Sequence, residues 1–105
     1  MTYKMFLDDE REPVGNGWVV ARNFDEAVRY ILQYGIPTYI SFDHDLGDIN
    51  KGTGFDLAKY IIDLDIDGKM LIPDNFGFYV HSQNPIGKKN IENILTNYLK
   101  HKFKK

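Results

Sequence analysis

Three short apolar runs in this chain each stop abruptly on ionisable or hydrogen-bonding side chains. Tyr3 to Leu7 closes on Asp8-Asp9-Glu10-Arg11, Tyr39 to Phe42 on Asp43-His44-Asp45, and Phe76 to Val80 on His81-Ser82. Short runs rich in aromatic and aliphatic residues predict buried strands with polar carboxyl ends. A fourth run, Trp18 to Ala21, follows a loop marked by Pro13, Gly15 and Gly17. Between the runs the apolar period lengthens. Asn23, with Glu26 three residues on, opens a helix whose stripe is Ala27, Val28, Ile31 and Leu32 and which stops before Gly35 and Pro37. A second begins near Thr53, after a glycine-rich loop, with Leu57, Ala58, Ile61 and Ile62 inward. Asn84 and Pro85 suit the N-cap and first turn of a third, with Ile91, Ile94, Leu95, Tyr98 and Leu99 inward and lysines at its end. Strands alternating with helices predict an α/β fold around a mostly parallel four-stranded sheet. Ligands bind such sheets beyond the carboxyl ends of the strands, where the three polar endings would gather. The direction of the Trp18 run is open, because nine residues between Asp9 and Val19 are few for a parallel crossover.

The length of 105 residues, with 43% hydrophobic side chains, predicts one domain over 1–105 with a single core. The absence of cysteine removes thiol nucleophiles, disulfides, zinc fingers and iron–sulfur clusters, leaving oxygen and nitrogen chemistry. With no signal-peptide core and no run approaching a membrane span, the expectation is a cytoplasmic protein with no membrane partner. The net charge of −2 argues against sequence-specific DNA binding, yet it is unevenly spread. Residues 1–50 hold nine acids and four bases, and residues 51–105 six acids and nine bases.

Carboxylates crowded at neighbouring strand ends repel one another unless some are protonated or a cation sits among them. Oxygen donors without cysteine suit a hard ion, so magnesium, with manganese as a substitute, is the expected cofactor. Asp8, Asp9 and Asp43 would hold it, with Asp45 nearby. The ordinary alternative is a strand end with Glu10 and Arg11 paired on the surface. His44 and His81 follow different strands and are placed to move protons near neutral pH, or else to be satisfied by an aspartate. Ser82 and Asn84, at a strand-to-helix turn, could bind an anion with Lys88 and Arg11; helix capping and solvated lysines are the simpler account. Asp63-Leu64-Asp65-Ile66-Asp67-Gly68, with Asp74 in the last ligand position, imitates the start of a calcium loop, but Leu64 and Ile66 look like packing residues and the exit helix is missing. Trp18 and the other aromatic residues fall in strands and helices, which points to core packing rather than base stacking.

In their order along the chain, Asp8-Asp9, Asp43 and Ser82 resemble the acidic pair, phosphoryl acceptor and sensing hydroxyl of a response-regulator receiver domain. Gly47 and Gly54-Phe55-Asp56-Leu57 are similar to the loop and helix that follow the acceptor. The resemblance implies a three-layer, flavodoxin-like fold, here lacking the first helix and the last strand with its phosphate-binding lysine. A closer likeness is to the cyclic-phosphate processing receiver domains. It is carried by Leu7-Asp8-Asp9-Glu10-Arg11 with Pro13, Ser41 to Gly47, Gly52-Thr53-Gly54-Phe55-Asp56, and Val80-His81-Ser82-Gln83-Asn84-Pro85. What it implies is action on cyclic phosphates of RNA ends or nucleotides.

The expected function is thus a metal-dependent phosphoesterase, a hydrolase of cyclic phosphates. Asp43, His44 and His81 would be catalytic, Asp8, Asp9, Asp43 and Asp45 would serve the metal, and Arg11, Ser82, Asn84 and Lys88 would bind phosphate. The alternative is a receiver-like switch, or a module that captures a cyclic nucleotide without turnover.

Overall fold

In the computed structural model, which describes residues 2–103, there are four strands and three α-helices, with a short 3-10 turn at Ile49–Lys51, and a helix follows every strand but the first. They are β1 (Lys4–Leu7), β2 (Trp18–Ala21), α1 (Phe24–Tyr34), β3 (Tyr39–Phe42), α2 (Gly54–Ile66), β4 (Gly77–Val80) and α3 (Pro85–Lys102). Each helix starts on the side chain expected to cap it. Asn23 accepts from the amide of Glu26, Thr53 and Asp56 form a reciprocal capping box, and Asn84 accepts from the amide of Gly87.

The strand order is β2-β1-β3-β4 and every pairing is parallel. The direction of β2 is thereby settled, and the crossover that precedes it, residues 8–17, contains no helix. Such a segment spans roughly 33 Å when extended, more than twice the roughly 13 Å of a four-residue strand. A helix is therefore dispensable for the return. No strand follows α3 among the described residues, as the likeness to a shortened receiver implies.

All three helices lie in one layer, α2 touching both α1 and α3. Side chains alternate across a strand, so one set faces that layer. Met5, Leu7, Ala21, Ile40, Phe42 and Val80 are buried there against Ala27, Ile31, Leu57, Ala58, Ile61, Ile91 and Leu95. Leu32 departs from its expected place in the α1 stripe: it is 57% exposed, Ala27 and Ile31 alone of the four being buried. The other set of strand side chains, Lys4, Phe6, Trp18, Tyr39, Ser41 and Tyr79 among them, has no helix over it. The expected third layer is reduced to the 8–17 segment. Trp18 Nε1 donates to the carbonyl of Val14 at 3.2 Å. Arg22 donates to the carbonyls of Asp8 and Arg11 and pairs with Glu12, fastening the segment to the end of β2.

The imitation of a calcium loop dissolves in the fold. Residues 63–66 belong to α2, and Asp65 turns inward to accept from the amide of Ile72 at 2.8 Å, from Tyr98 and from Lys102. These three donors outweigh the burial that opposes its ionisation and hold its carboxyl below the usual range. Among the described residues no helix is long and apolar enough to cross a membrane.

Candidate functional site

The β1 ladder continues one residue past the strand, the amide of Asp8 donating to the carbonyl of Ala21. This fixes the Asp8 side chain, which is completely buried. Its Oδ1 accepts from the amides of Glu10 and Arg11 at 2.9 and 2.8 Å, turning the chain sharply. Its Oδ2 lies 3.0 Å from Arg11 Nε and 3.0 Å from His81 Nε2. Burial opposes ionisation of Asp8, but the two amides, His81 and the Arg11 charge together lower its pKa.

Asp43 is placed in the same way from β3, its amide donating to the carbonyl of Leu7 at 2.9 Å. Its carboxyl titrates above the usual range, because burial and the neighbouring charge of Asp8 outweigh the Ser82 hydroxyl, His81 and Arg11. Arg11 Nη2 stands 3.8 Å from Asp43 Oδ2, so one guanidinium lies between both carboxylates. Gly54, the first residue of α2, lets that helix start against the Asp43 backbone: a Cβ there would sit 2.0 Å from the carbonyl oxygen of Asp43.

His81 leaves β4 with its amide bonded to the carbonyl of Phe42. Its ring lies parallel to that of Phe6, centroids 4.7 Å apart. A carboxylate only accepts, so Nε2 donates to Asp8, while Nδ1 is hydrogen-bonded to Ser41 Oγ at 2.7 Å. Both nitrogens of His81 are thus engaged, and its side chain is only 13% exposed. The ring contacts Asp8 and Ser41 and faces little solvent.

His44 and Lys88 are set apart from these groups. The His44 ring packs on α3, where a Cβ at Gly87 would meet it at 2.3 Å, and its Nδ1 bonds Asp45 Oδ1 at 2.8 Å. That bond, ahead of the burial that opposes it and with help from Asn84, lowers the pKa of Asp45. Lys88 lies over the ring of Tyr79. Asp9, by contrast, is exposed and has no hydrogen bond or ion pair among the described residues; its Oδ2 approaches Gly47, whose φ of +85° suits glycine.

The remaining groups share an open cleft of about 440 Å³ lined by Asp9, Glu10, Arg11, Asp43, Asp45, Gly47, Ser82, Gln83 and Asn84. The cleft lies at the carboxyl end of the sheet, as the strand endings imply. Asp8 and His81 stand behind Asp43, and one ligand atom from each of the three falls within 4.8 Å of the others. Ser41 is the partner that sequence reasoning missed. Its signal was present: it precedes Asp43 by two, as Phe6 precedes Asp8 and Tyr79 precedes His81, so all share one face.

Oxygen donors are what a hard divalent ion takes; Asp9 and Asp43 both line the cleft, while the groups whose ligand atoms converge are Asp8, Asp43 and His81. Asp8 and Asp45 already have protein donors on them, Asp45 through His44 and Asn84. No curated protein and no solved structure matches the chain. One family model does, over residues 3–97, and its description is cyclic-phosphate processing receiver domain.

Proposed function

This chain belongs to the family of cyclic-phosphate processing receiver domains, and from that premise we propose that the cleft hydrolyses a cyclic phosphodiester. The observation that carries the reading is the convergence of Arg11, Asp43 and Ser82 in one cleft with the unpartnered Asp9. Arg11 and Ser82 supply donors for the phosphoryl oxygens, with the Asn84 side chain beside them. Guanidinium recognition of the phosphate offsets the repulsion between an anionic substrate and the carboxylates.

Asp43, through the carboxylate oxygen left free of the metal, accepts the proton of the attacking water. The water oxygen bonds to phosphorus, the bond to one ring oxygen breaks, and the proton returns to that oxygen, leaving an open phosphomonoester. Asp8 holds the Glu10–Arg11 turn and orients Arg11, while His81 and Ser41 orient Asp8. Asp45, tied to His44 and Asn84, keeps the far wall of the cleft in place. Magnesium or manganese, held by Asp9 and Asp43 with Asp8 behind them, would neutralise charge and polarise the phosphoryl group.

The test is incubation with cyclic-phosphate-ended RNAs and cyclic nucleotides, with magnesium and with chelator, following products by mass. Ring-opened product that requires the metal and is lost in Asp43→Ala and Arg11→Gln is the expected result. Binding of the substrates without any product would make the protein a capture module instead. Arg11, already drawn between two carboxylates, is the feature that favours that second reading.

A further inference from the structure

We propose that the helix-free face of the sheet is a stacking platform for single-stranded RNA, and that the substrate of the adjoining cleft is the cyclic-phosphate end of such a strand. This rests on the reading of the cleft given above and selects among its substrates. Sequence reasoning assigned the aromatic residues to the core. The structure divides them: Trp18, Tyr39 and Tyr79 stand on the face opposite the helices, outside the main core cluster, around Phe6, which is buried there beneath the His81 ring. Their neighbours there are aromatic rings and ammonium groups. Trp18 meets Phe6 and Tyr39 edge to face at 5.9 and 6.0 Å, and Lys4 Nζ lies 4.3 Å from its ring centre. Tyr79 is 55% exposed, with Lys88 Nζ 5.8 Å from its ring centre.

Aromatic faces flanked by cations are what bases joined by phosphodiesters require, since every base has a π-face and every linkage a negative charge. A sheet of four strands measures roughly 14 Å across, and beyond the 8–17 segment its helix-free face leaves room for two or three stacked bases, as in other one-sided RNA-binding sheets. The face also runs directly into the cleft. Asp8 follows Phe6 by two residues and Asp43 follows Ser41 by two, while the ring of His81 rests on Phe6. A strand lying across Trp18, Tyr39 and Tyr79 would deliver its terminal phosphate to Arg11 and Ser82.

The test compares three probes: a short oligoribonucleotide ending in a 2′,3′-cyclic phosphate, the same oligonucleotide ending in a 3′-hydroxyl, and the cyclic mononucleotide. Trp18 is the only tryptophan, so its fluorescence reports occupancy of the face. Both oligonucleotides are expected to quench it and to bind more tightly than the mononucleotide. Tyr79→Ala is expected to weaken both oligonucleotides by about tenfold, the scale of one lost base stack, and Tyr79→Phe to retain them. If the 3′-hydroxyl strand binds this way but no cyclic phosphate is opened, the platform stands and the hydrolase reading falls. If the mononucleotide is opened and the oligonucleotides bind no better, the platform falls and the hydrolase reading stands. A Tyr79-dependent dimer in sedimentation without RNA would assign the face to a second copy of the chain and overturn the proposal.

Discussion

His81 lies flat against Phe6, the two ring planes within 2° of parallel. In that pose the edge of the imidazole bridges two strands, with Nδ1 directed to Ser41 on β3 and Nε2 to Asp8 beyond β1. A chain of three polar groups at a strand end, two of them nearly buried, is stable because each donor meets an acceptor.

Removing the middle member leaves the buried Ser41 hydroxyl without its partner and takes one donor from Asp8, which keeps Arg11 and two amides. His81→Ala is expected to destabilise the protein by about 2 kcal/mol and to weaken phosphate binding by releasing Asp8 and the Arg11 turn. Ser41→Ala should cost less, because the imidazole keeps its carboxylate. Urea denaturation of the two variants beside phosphate titrations checks both; equal stability in His81→Ala and the parent would show that the bridge contributes nothing.

Gly54 and Gly87 admit no side chain, for different reasons. At position 54 the obstacle is the backbone carbonyl of Asp43, at 2.0 Å, and at position 87 it is the His44 ring, at 2.3 Å. A ring can rotate aside, whereas the backbone of Asp43 is tied to the neighbouring strand through its amide. Gly54→Ala should therefore cost more than Gly87→Ala, whose penalty stays near the roughly 1–3 kcal/mol of an overpacked site. The reverse order in thermal melts would mean that α2 shifts more readily than His44.

Asp43 is expected to cost the fold stability. Its pKa is raised in the folded state by burial and by Asp8, so its ionised form is disfavoured there relative to the unfolded chain. Asp43→Asn should stabilise the protein by about 1 kcal/mol at neutral pH while abolishing turnover. The gain should be full above the folded-state titration and vanish as pH falls below the ordinary value of 3.8. Stability curves of parent and variant that run parallel at all pH values would count against the shift.

Asp65 should behave in the opposite sense. Its carboxyl is held below 3.8 in the folded protein, so its contribution is present above that value and is lost as pH falls through the lowered folded pKa. Asp65→Asn should be less stable at neutral pH and less sensitive to acid, because Lys102 is left without its carboxylate. Acid titrations followed by circular dichroism measure this directly. A variant with the parent's acid transition would exclude Asp65 as its source.

Each element was legible in the sequence because each carries its own period and stop: Asn23, Thr53 and Asn84 cap the helices that their neighbours announce. The residues that line the cleft were legible as strand endings. Their pairings were not, since the distance from Arg11 to Asp43, or from His44 to Gly87, depends on which strands become neighbours. Alternation likewise tells which side chains share a face, but not which face the helices choose. That choice explains why Phe6 and Trp18 resemble core residues in the sequence while standing outside the main core.

Both outer strands of the sheet, β2 and β4, are four residues long. A free strand edge is a template on which another chain can polymerise, and its hold grows with each unpaired peptide group. Edges this brief offer few rungs. The same economy of length that brings the ends of β1, β3 and β4 to the cleft thus guards the protein against growing sideways into fibres.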